Sequence, residues 1–151
     1  GNVYAYGTKA DGSSWEIGIR NPLTMGEGSV AVVSLLGSGS VVTSGAYERF
    51  FEQDGVHYHH IINPFTGRPS ESNILSATIL CKSSLFADAL STASFIMGSE
   101  RFIALCLENN FLCGDSVRTD AILLCNDGKA YVSSGATESV RLYSAFTAVP
   151  F

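Results

Sequence analysis

Three side chains in Ala87-Asp88-Ala89-Leu90-Ser91-Thr92 have the types and spacing to hold a hard cation. On a helix, positions i, i+3 and i+4 face the same way. Asp88, Ser91 and Thr92 therefore stand side by side. A carboxylate and two hydroxyls offer only oxygen, which suits Mg2+, an ion that usually keeps waters and shares substrate phosphates. The group falls in the first two turns of the expected helix, where the dipole favours anions. A metal and a phosphate there would reinforce each other. Taken alone, the spacing fits a solvated helix face better than a site.

His60 is the one plausible general base, because an imidazole titrates near neutral pH. It stands at the end of an expected strand, directly before Asn63-Pro64-Phe65-Thr66-Gly67-Arg68-Pro69, a stretch that must be a loop. With His57 and His59 beside it, a satisfied structural histidine is the commoner explanation. Gly26-Glu27-Gly28 and Gly37-Ser38-Gly39-Ser40 are weak phosphate-loop candidates, since neither completes G-x-G-x-x-G ahead of a helix. They read better as turns. Arg20, before Asn21-Pro22, could meet a phosphate, although an exposed arginine at a strand end is commonplace. The cysteines Cys81, Cys106, Cys113 and Cys125 lack C-x-x-C spacing and sit in apolar stretches, so they read as buried thiols. In an exported protein Cys106 and Cys113 could form one disulfide.

The elements that must position these residues follow from periodicity and turn signals. Candidate strands are Val3–Tyr6, Trp15–Ile19, Ser29–Leu36 and Val41–Ser44. Asp11-Gly12 marks a hairpin between the first two. Asp54-Gly55 marks another, between Tyr47–Glu52 and Val56–Ile62. In the latter strand Val56, Tyr58, His60 and Ile62 share one face, and His57, His59 and Ile61 the other. Leu75–Lys82 is a strand. Ser83 or Ser84 can cap a helix from about Leu85 to Met97, ended by Gly98. Its apolar stripe is expected to be Leu85, Ala89, Ala93 and Ile96, with Asp88, Ser91 and Thr92 pointing away. A second helix covers Glu100–Asn109, drawing on Phe102, Ile103, Leu105, Cys106 and Leu107 for its apolar positions. Ala121–Cys125 and Lys129–Ser133 form a last hairpin around Asp127-Gly128. Strands, then helices, then strands predict an α+β fold, mostly antiparallel strands packed with two helices.

The 151 residues suit one domain or most of one. An apolar fraction of 46% supplies a real core. The formal net charge is −5 and there is no run of Lys or Arg, so a nucleic-acid role has no electrostatic footing. The apolar run Val30–Leu36, broken only by Ser34, is far short of a membrane span. The opening Gly1-Asn2-Val3-Tyr4-Ala5-Tyr6-Gly7 reads as a strand under way, with no initiator Met, leader or signal peptide. That favours a cut through a longer gene product.

Four segments together resemble the ApbE family of flavin transferases. They are Gly1–Gly7 followed by Trp15-Glu16-Ile17-Gly18-Ile19-Arg20-Asn21-Pro22; Val41-Val42-Thr43-Ser44-Gly45-Ala46-Tyr47-Glu48-Arg49-Phe50-Phe51; Tyr58-His59-His60-Ile61-Ile62 running into the Asn63–Pro69 loop; and Ala87–Ala93 with Met97-Gly98. The resemblance runs to about Leu107. It implies the C-terminal part of a larger, T-fold-like domain, with the N-terminal half absent. It also implies binding of FAD and Mg2+, and attachment of FMN through a phosphoester to a Thr or Ser of an acceptor protein, with AMP released. By motif, His60 is the catalytic base and Asp88 and Thr92 ligate Mg2+, with Ser91 beside them. Ile62, His60, Tyr47 and Arg20 would meet FAD. Such proteins are commonly exported and lipid-anchored on the outer face of the cytoplasmic membrane.

Two departures stand out. Family members usually carry Asp where Asn63 and Ala46 stand, and the first change is expected to weaken loop anchoring. Three other readings stay open: a non-catalytic flavin-binding domain, an enzyme that hydrolyses FAD with water, and a flavin carrier. The carrier reading rests on Ser134-Gly135-Ala136-Thr137, which resembles the motif these enzymes modify and would place FMN on Thr137.

Overall fold

The computed structural model describes residues 1–24, 27–47, 49–109, 119–143 and 145–151. Its strands are β1 (Asn2–Ala5), β2 (Trp15–Arg20), β3 (Ser29–Leu35), β4 (Gly39–Gly45), β5 (Phe50–Gln53), β6 (Val56–His59), β7 (Ile74–Cys81), β8 (Thr119–Cys125), β9 (Lys129–Val132), β10 (Val140–Leu142) and β11 (Thr147–Pro150). Helix α1 spans Ser84–Met97 and α2 spans Ser99–Asn109. The central sheet has the order β1-β4-β7-β8-β9-β11. A second sheet, β10-β3-β2, and a hairpin, β5-β6, complete the described strands. Every pairing is antiparallel except β9 with β11. The expected α+β class is therefore observed.

Strand alternation divides the core between the two faces of the central sheet. Val42, Ala77, Ile79, Ala121 and Leu123 point to one side and pack with Ala87, Phe95, Phe102 and Cys106 of the helices. Val41, Leu80, Ile122, Leu124 and Val132 point to the other and pack with Ile19, Val30 and Val33 of the β10-β3-β2 sheet. The molecule thus has three layers, with the central sheet in the middle. All seven residues of β8 are buried, as a strand covered on both faces requires. Each large aliphatic side chain buried here contributes on the order of 1.5–3 kcal/mol of transfer free energy.

Two hairpins stand where their turn dipeptides placed them. Asp54 and Gly55 both take positive φ (53° and 74°), the geometry of a tight two-residue turn, and join β5 to β6. Asp127-Gly128 joins β8 to β9. The hairpin expected at Asp11-Gly12 does not form. β1 pairs with β4, Asn2 opposite Val42, while β2 pairs with β3. The turn itself is real: Asp11 Oδ1 accepts from the Ser13 N–H and hydroxyl at 2.9 and 2.6 Å. It hands the chain from one sheet to the other, because both flanking strands have buried partners further along the sequence. β10 and β11 were not anticipated. Each is short, and β11 ends on Pro150.

Helix α1 is capped by Ser83, whose hydroxyl accepts from Phe86 N at 3.3 Å, and ends at Gly98. Its buried face is Ala87, Ser91, Ser94 and Phe95. This corrects the expected stripe: Leu85 is 82% exposed and Ala89 is also at the surface. Small polar side chains let the helix approach the sheet, and their hydroxyls are satisfied locally, Ser94 Oγ on Ser91 O and Ser91 Oγ on Asp88 O, both at 3.0 Å. In α2 the buried positions are Ser99, Phe102 and Cys106, whereas Leu107 is 66% exposed.

Candidate functional site

Helix α1 lies across β4 and β7, so its first turns ride over the middle of the central sheet. Asp88 is exposed there, and Thr92, one turn on, is half-buried. Ser91 is turned inward and fully buried. It donates to the carbonyl of Asp88 at 3.0 Å, and its oxygen lies 2.9 Å from Ser44 Oγ. Ser44, on β4, also lies 3.3 Å from Thr92 Oγ1. The helix therefore presents Asp88 to solvent, sets Thr92 at the edge of the contact with its hydroxyl beside Ser44, and ties itself to the sheet through Ser91. Ser44 faces α1 because Val42, two residues before it, packs in the helix-side core.

One carboxylate and one hydroxyl, both oxygen, fit a hard divalent cation that brings its own waters and a phosphate. They are too few to enclose one. Among the described residues, no cluster of three or more His, Cys, Asp or Glu could hold a metal. The donor set fits Mg2+ shared with a substrate and does not fit a structural zinc.

His60 follows β6 and is exposed. Its Nδ1 lies 3.0 Å from the carbonyl of Arg49, which also accepts the His60 backbone N–H at 3.2 Å. A carbonyl can only accept, so Nδ1 carries the proton and Nε2 of the neutral ring holds the lone pair. His59 is a different case. Its Nδ1 accepts from Ile61 N at 3.3 Å, its Nε2 lies 3.1 Å from Ser70 O, and its ring meets Phe95 of α1 edge-on with centroids 5.6 Å apart. His59 pins the loop to the helix, and its neighbour projects outward. This loop therefore brings His60 and Ile62 to the α1 side of the molecule.

Within the loop, Asn63 Oδ1 accepts from Phe65 N at 2.9 Å, and Asn63 N donates to Arg68 O at 2.8 Å. An amide oxygen thus performs the anchoring expected of an aspartate. Ile62 bridges Pro69 and is 45% exposed. Tyr47 is half-buried, and its ring rests on Gly45: a Cβ there would lie 2.5 Å from Tyr47 Cε1. Arg20 ends β2, in the layer on the opposite face of the central sheet from α1.

Other sequence candidates have structural explanations. In Ser134-Gly135-Ala136-Thr137, Ala136 is fully buried and Thr137 Oγ1 donates to Ser134 O at 2.8 Å, closing a turn. Cys81, Cys106 and Cys125 are buried free thiols; Cys113 lies outside the described residues, as do Met25, Gly26, Glu48 and Asn110. Burial pushes the Cys106 and Cys125 thiols up to about 11. A cleft of about 550 Å³ opens elsewhere, lined by Leu35, Gly39, Leu80, Lys82 and Asp120 among others. Its lining includes Ser38 and Gly39 of the glycine-serine turn and Gly135 of the Ser134–Thr137 segment, but not Asp88, Ser91, Thr92, His60, Ile62, Tyr47 or Arg20. Ser44 was missed in the sequence, because its link to α1 spans 47 residues and a lone serine in a strand carries no signal.

A sequence model of the ApbE family matches residues 1–112. The chain is 41% identical to the FAD:protein FMN transferase of Treponema pallidum (strain Nichols), over 96% of this chain and 40% of that protein. It is 40% identical to the FAD:protein FMN transferase of Vibrio cholerae serotype O1, over 89% of this chain and 38% of that protein. The crystal structure of the ApbE protein from Thermotoga maritima superimposes with a TM-score of 0.77 at 34% identity, covering 93% of this chain and 43% of that one. The flavin transferase ApbE from Vibrio cholerae gives 0.67 at 35% identity, covering 92% and 42%. The chain spans about 40% of the length of these relatives.

Proposed function

Because the chain belongs to the ApbE family, we propose that it supplies the catalytic part of an FAD:protein FMN transferase. The observation that carries this reading is the pair Asp88 and Thr92 one turn apart on α1, with Asp88 exposed and Thr92 backed by the sheet at Ser44. The acceptor is a Thr or Ser hydroxyl of another protein. Its oxygen attacks the FMN-side phosphorus of FAD and a new P–O bond forms. The bond to the bridging oxygen breaks, and AMP leaves with that oxygen. His60, with Nδ1 held on the Arg49 carbonyl, takes the hydroxyl proton at Nε2. Asp88 and Thr92 would hold Mg2+, which supplies charge neutralisation at the phosphate oxygens. Ile62 and Tyr47 supply contacts to FAD. The remaining part of the FAD pocket belongs to an N-terminal half of the same domain, and the whole protein works at the outer face of the cytoplasmic membrane.

The test is to incubate the full-length protein with FAD, Mg2+ and an acceptor peptide. The expected products are a fluorescent peptide heavier by one FMN, and AMP in equal amount; chelation of the metal should stop both. Undiminished activity in Asp88→Ala would remove the metal assignment. Free FMN with no labelled peptide would show water as the acceptor, the hydrolytic variant of the same chemistry.

A further inference from the structure

We propose that Ser44 is a positioning residue that sets the hydroxyl of Thr92 for cation binding; this rests on reading Asp88 and Thr92 as the cation's donors. The argument is a count of protons. Each hydroxyl has one proton to give. Three bonds join Ser91 to Asp88 O at 3.0 Å, Ser44 to Ser91 at 2.9 Å, and Ser44 to Thr92 at 3.3 Å. The carbonyl of Asp88 can only accept, so Ser91 spends its proton there. Ser44 must then donate to Ser91. With its own proton committed, Ser44 can only accept from Thr92. One assignment satisfies all three bonds, and it leaves Thr92 Oγ1 with its proton turned to the sheet and its lone pairs available.

A neutral hydroxyl binds a cation through a lone pair, so its proton must have somewhere else to go. Ser44 provides that place. Without it, Thr92 turns its proton to solvent or to a helix carbonyl, as threonines within helices do, and the lone pairs turn with it. The same relay fixes Ser91, whose carbonyl contact lies on the residue that also carries the charged donor. Ser44 is held in register by the pairing of β4 with β7, where it stands opposite Ala77. A second hydroxyl pair on β4 serves as a control. Thr43 Oγ1 lies 2.8 Å from Thr78 Oγ1 on the opposite face of the sheet, and losing it costs a comparable hydrogen bond with no link to Thr92.

The experiment measures Mn2+ binding by electron paramagnetic resonance in the full-length protein with FAD, alongside thermal midpoints. Ser44→Ala is expected to weaken Mn2+ binding by roughly 10- to 100-fold, the usual cost of losing a group that orients a metal ligand. Ser44→Thr is expected to restore it, and Thr43→Ala to leave it unchanged. If Ser44→Ala does not fold, Ser44→Cys keeps the volume with a weak acceptor and should weaken binding too. Wild-type Mn2+ affinity in folded Ser44→Ala or Ser44→Cys, or an equal loss in Thr43→Ala, overturns the proposal. Loss of binding in Asp88→Ala with none in Ser44→Ala refutes the positioning role and keeps the metal reading. Indifference to Asp88→Ala refutes both.

Discussion

Replacing Asp88 by Ala removes the charged member of the donor pair on α1. The transfer rate is expected to fall by about 10²–10³-fold, or roughly 3–4 kcal/mol, the scale for losing one electrostatic stabiliser of the transition state. His60→Ala removes a proton acceptor without touching α1. It should lower kcat by about 10²–10⁴-fold and leave Mn2+ affinity intact. Parallel rate and binding measurements on the two variants separate the roles; a His60→Ala protein that turns over normally would end the general-base assignment. At this scale the sequence was informative where chemistry is local. Asp88 and Thr92 sit one turn apart whatever else the chain does, and His60 precedes a Pro/Gly loop. It was uninformative where a side chain's direction depends on a distant strand. Ser91 carries the same hydroxyl as a cation donor, but its position on the buried face sends it to Ser44.

At the scale of elements, the junction after β4 is the tightest observed near the site. A methyl group on Gly45 would sit 2.5 Å from the Tyr47 ring, so Gly45→Ala must displace that ring or bend the strand end. The expected cost is about 1–3 kcal/mol, the usual scale for overpacking, read as a lower thermal midpoint. Restoration of the midpoint in a Gly45→Ala, Tyr47→Ala double variant would identify the ring as the obstacle. In the loop after β6, Asn63→Asp keeps an acceptor for Phe65 N and should be near neutral, whereas Asn63→Ala loses a bond worth about 1 kcal/mol. The two tight hairpins were legible because Asp54-Gly55 and Asp127-Gly128 encode their turns within two residues. The pairing of β1 was not, since its partner β4 begins more than thirty residues away and an Asx turn at Asp11 looks the same within a hairpin or between sheets. The stripe on α1 was misread because Ser91 and Ser94 are buried as spacers while Leu85 is exposed.

At the scale of the molecule, the buried thiols report on the integrity of the core. Cys106 and Cys125 are raised from 9.0 to about 11 by burial, so the folded state disfavours their thiolates. The sign follows: this contribution to stability is fully present below pH 9 and is lost as pH rises toward 11. Urea midpoints should decline over that window, and less steeply in Cys106→Ala than in the parent protein. Site-resolved alkylation at pH 8 should spare both thiols in the folded state and label them in urea; rapid labelling of either one without urea would contradict the packing described. The α+β class and the two helices were readable from the order of patterned segments. The three-layer arrangement was not, because alternation along a strand says that two faces differ without saying what covers each.

Two residues, Lys82 and Ser83, separate the end of β7 from the start of α1. With so short a joint, the alignment of β7 on β4 dictates which turn of the helix arrives above Ser44. Inserting a single alanine between Cys81 and Ser84 would break that alignment, because the added residue must either lengthen the joint or extend the helix by one residue, which is about 100° of turn and about 1.5 Å of rise. Every ligand and every relay partner would still be present, yet no longer facing one another. The joint acts as an indexing pin, and an insertion there would tell apart the possession of the right groups from their alignment.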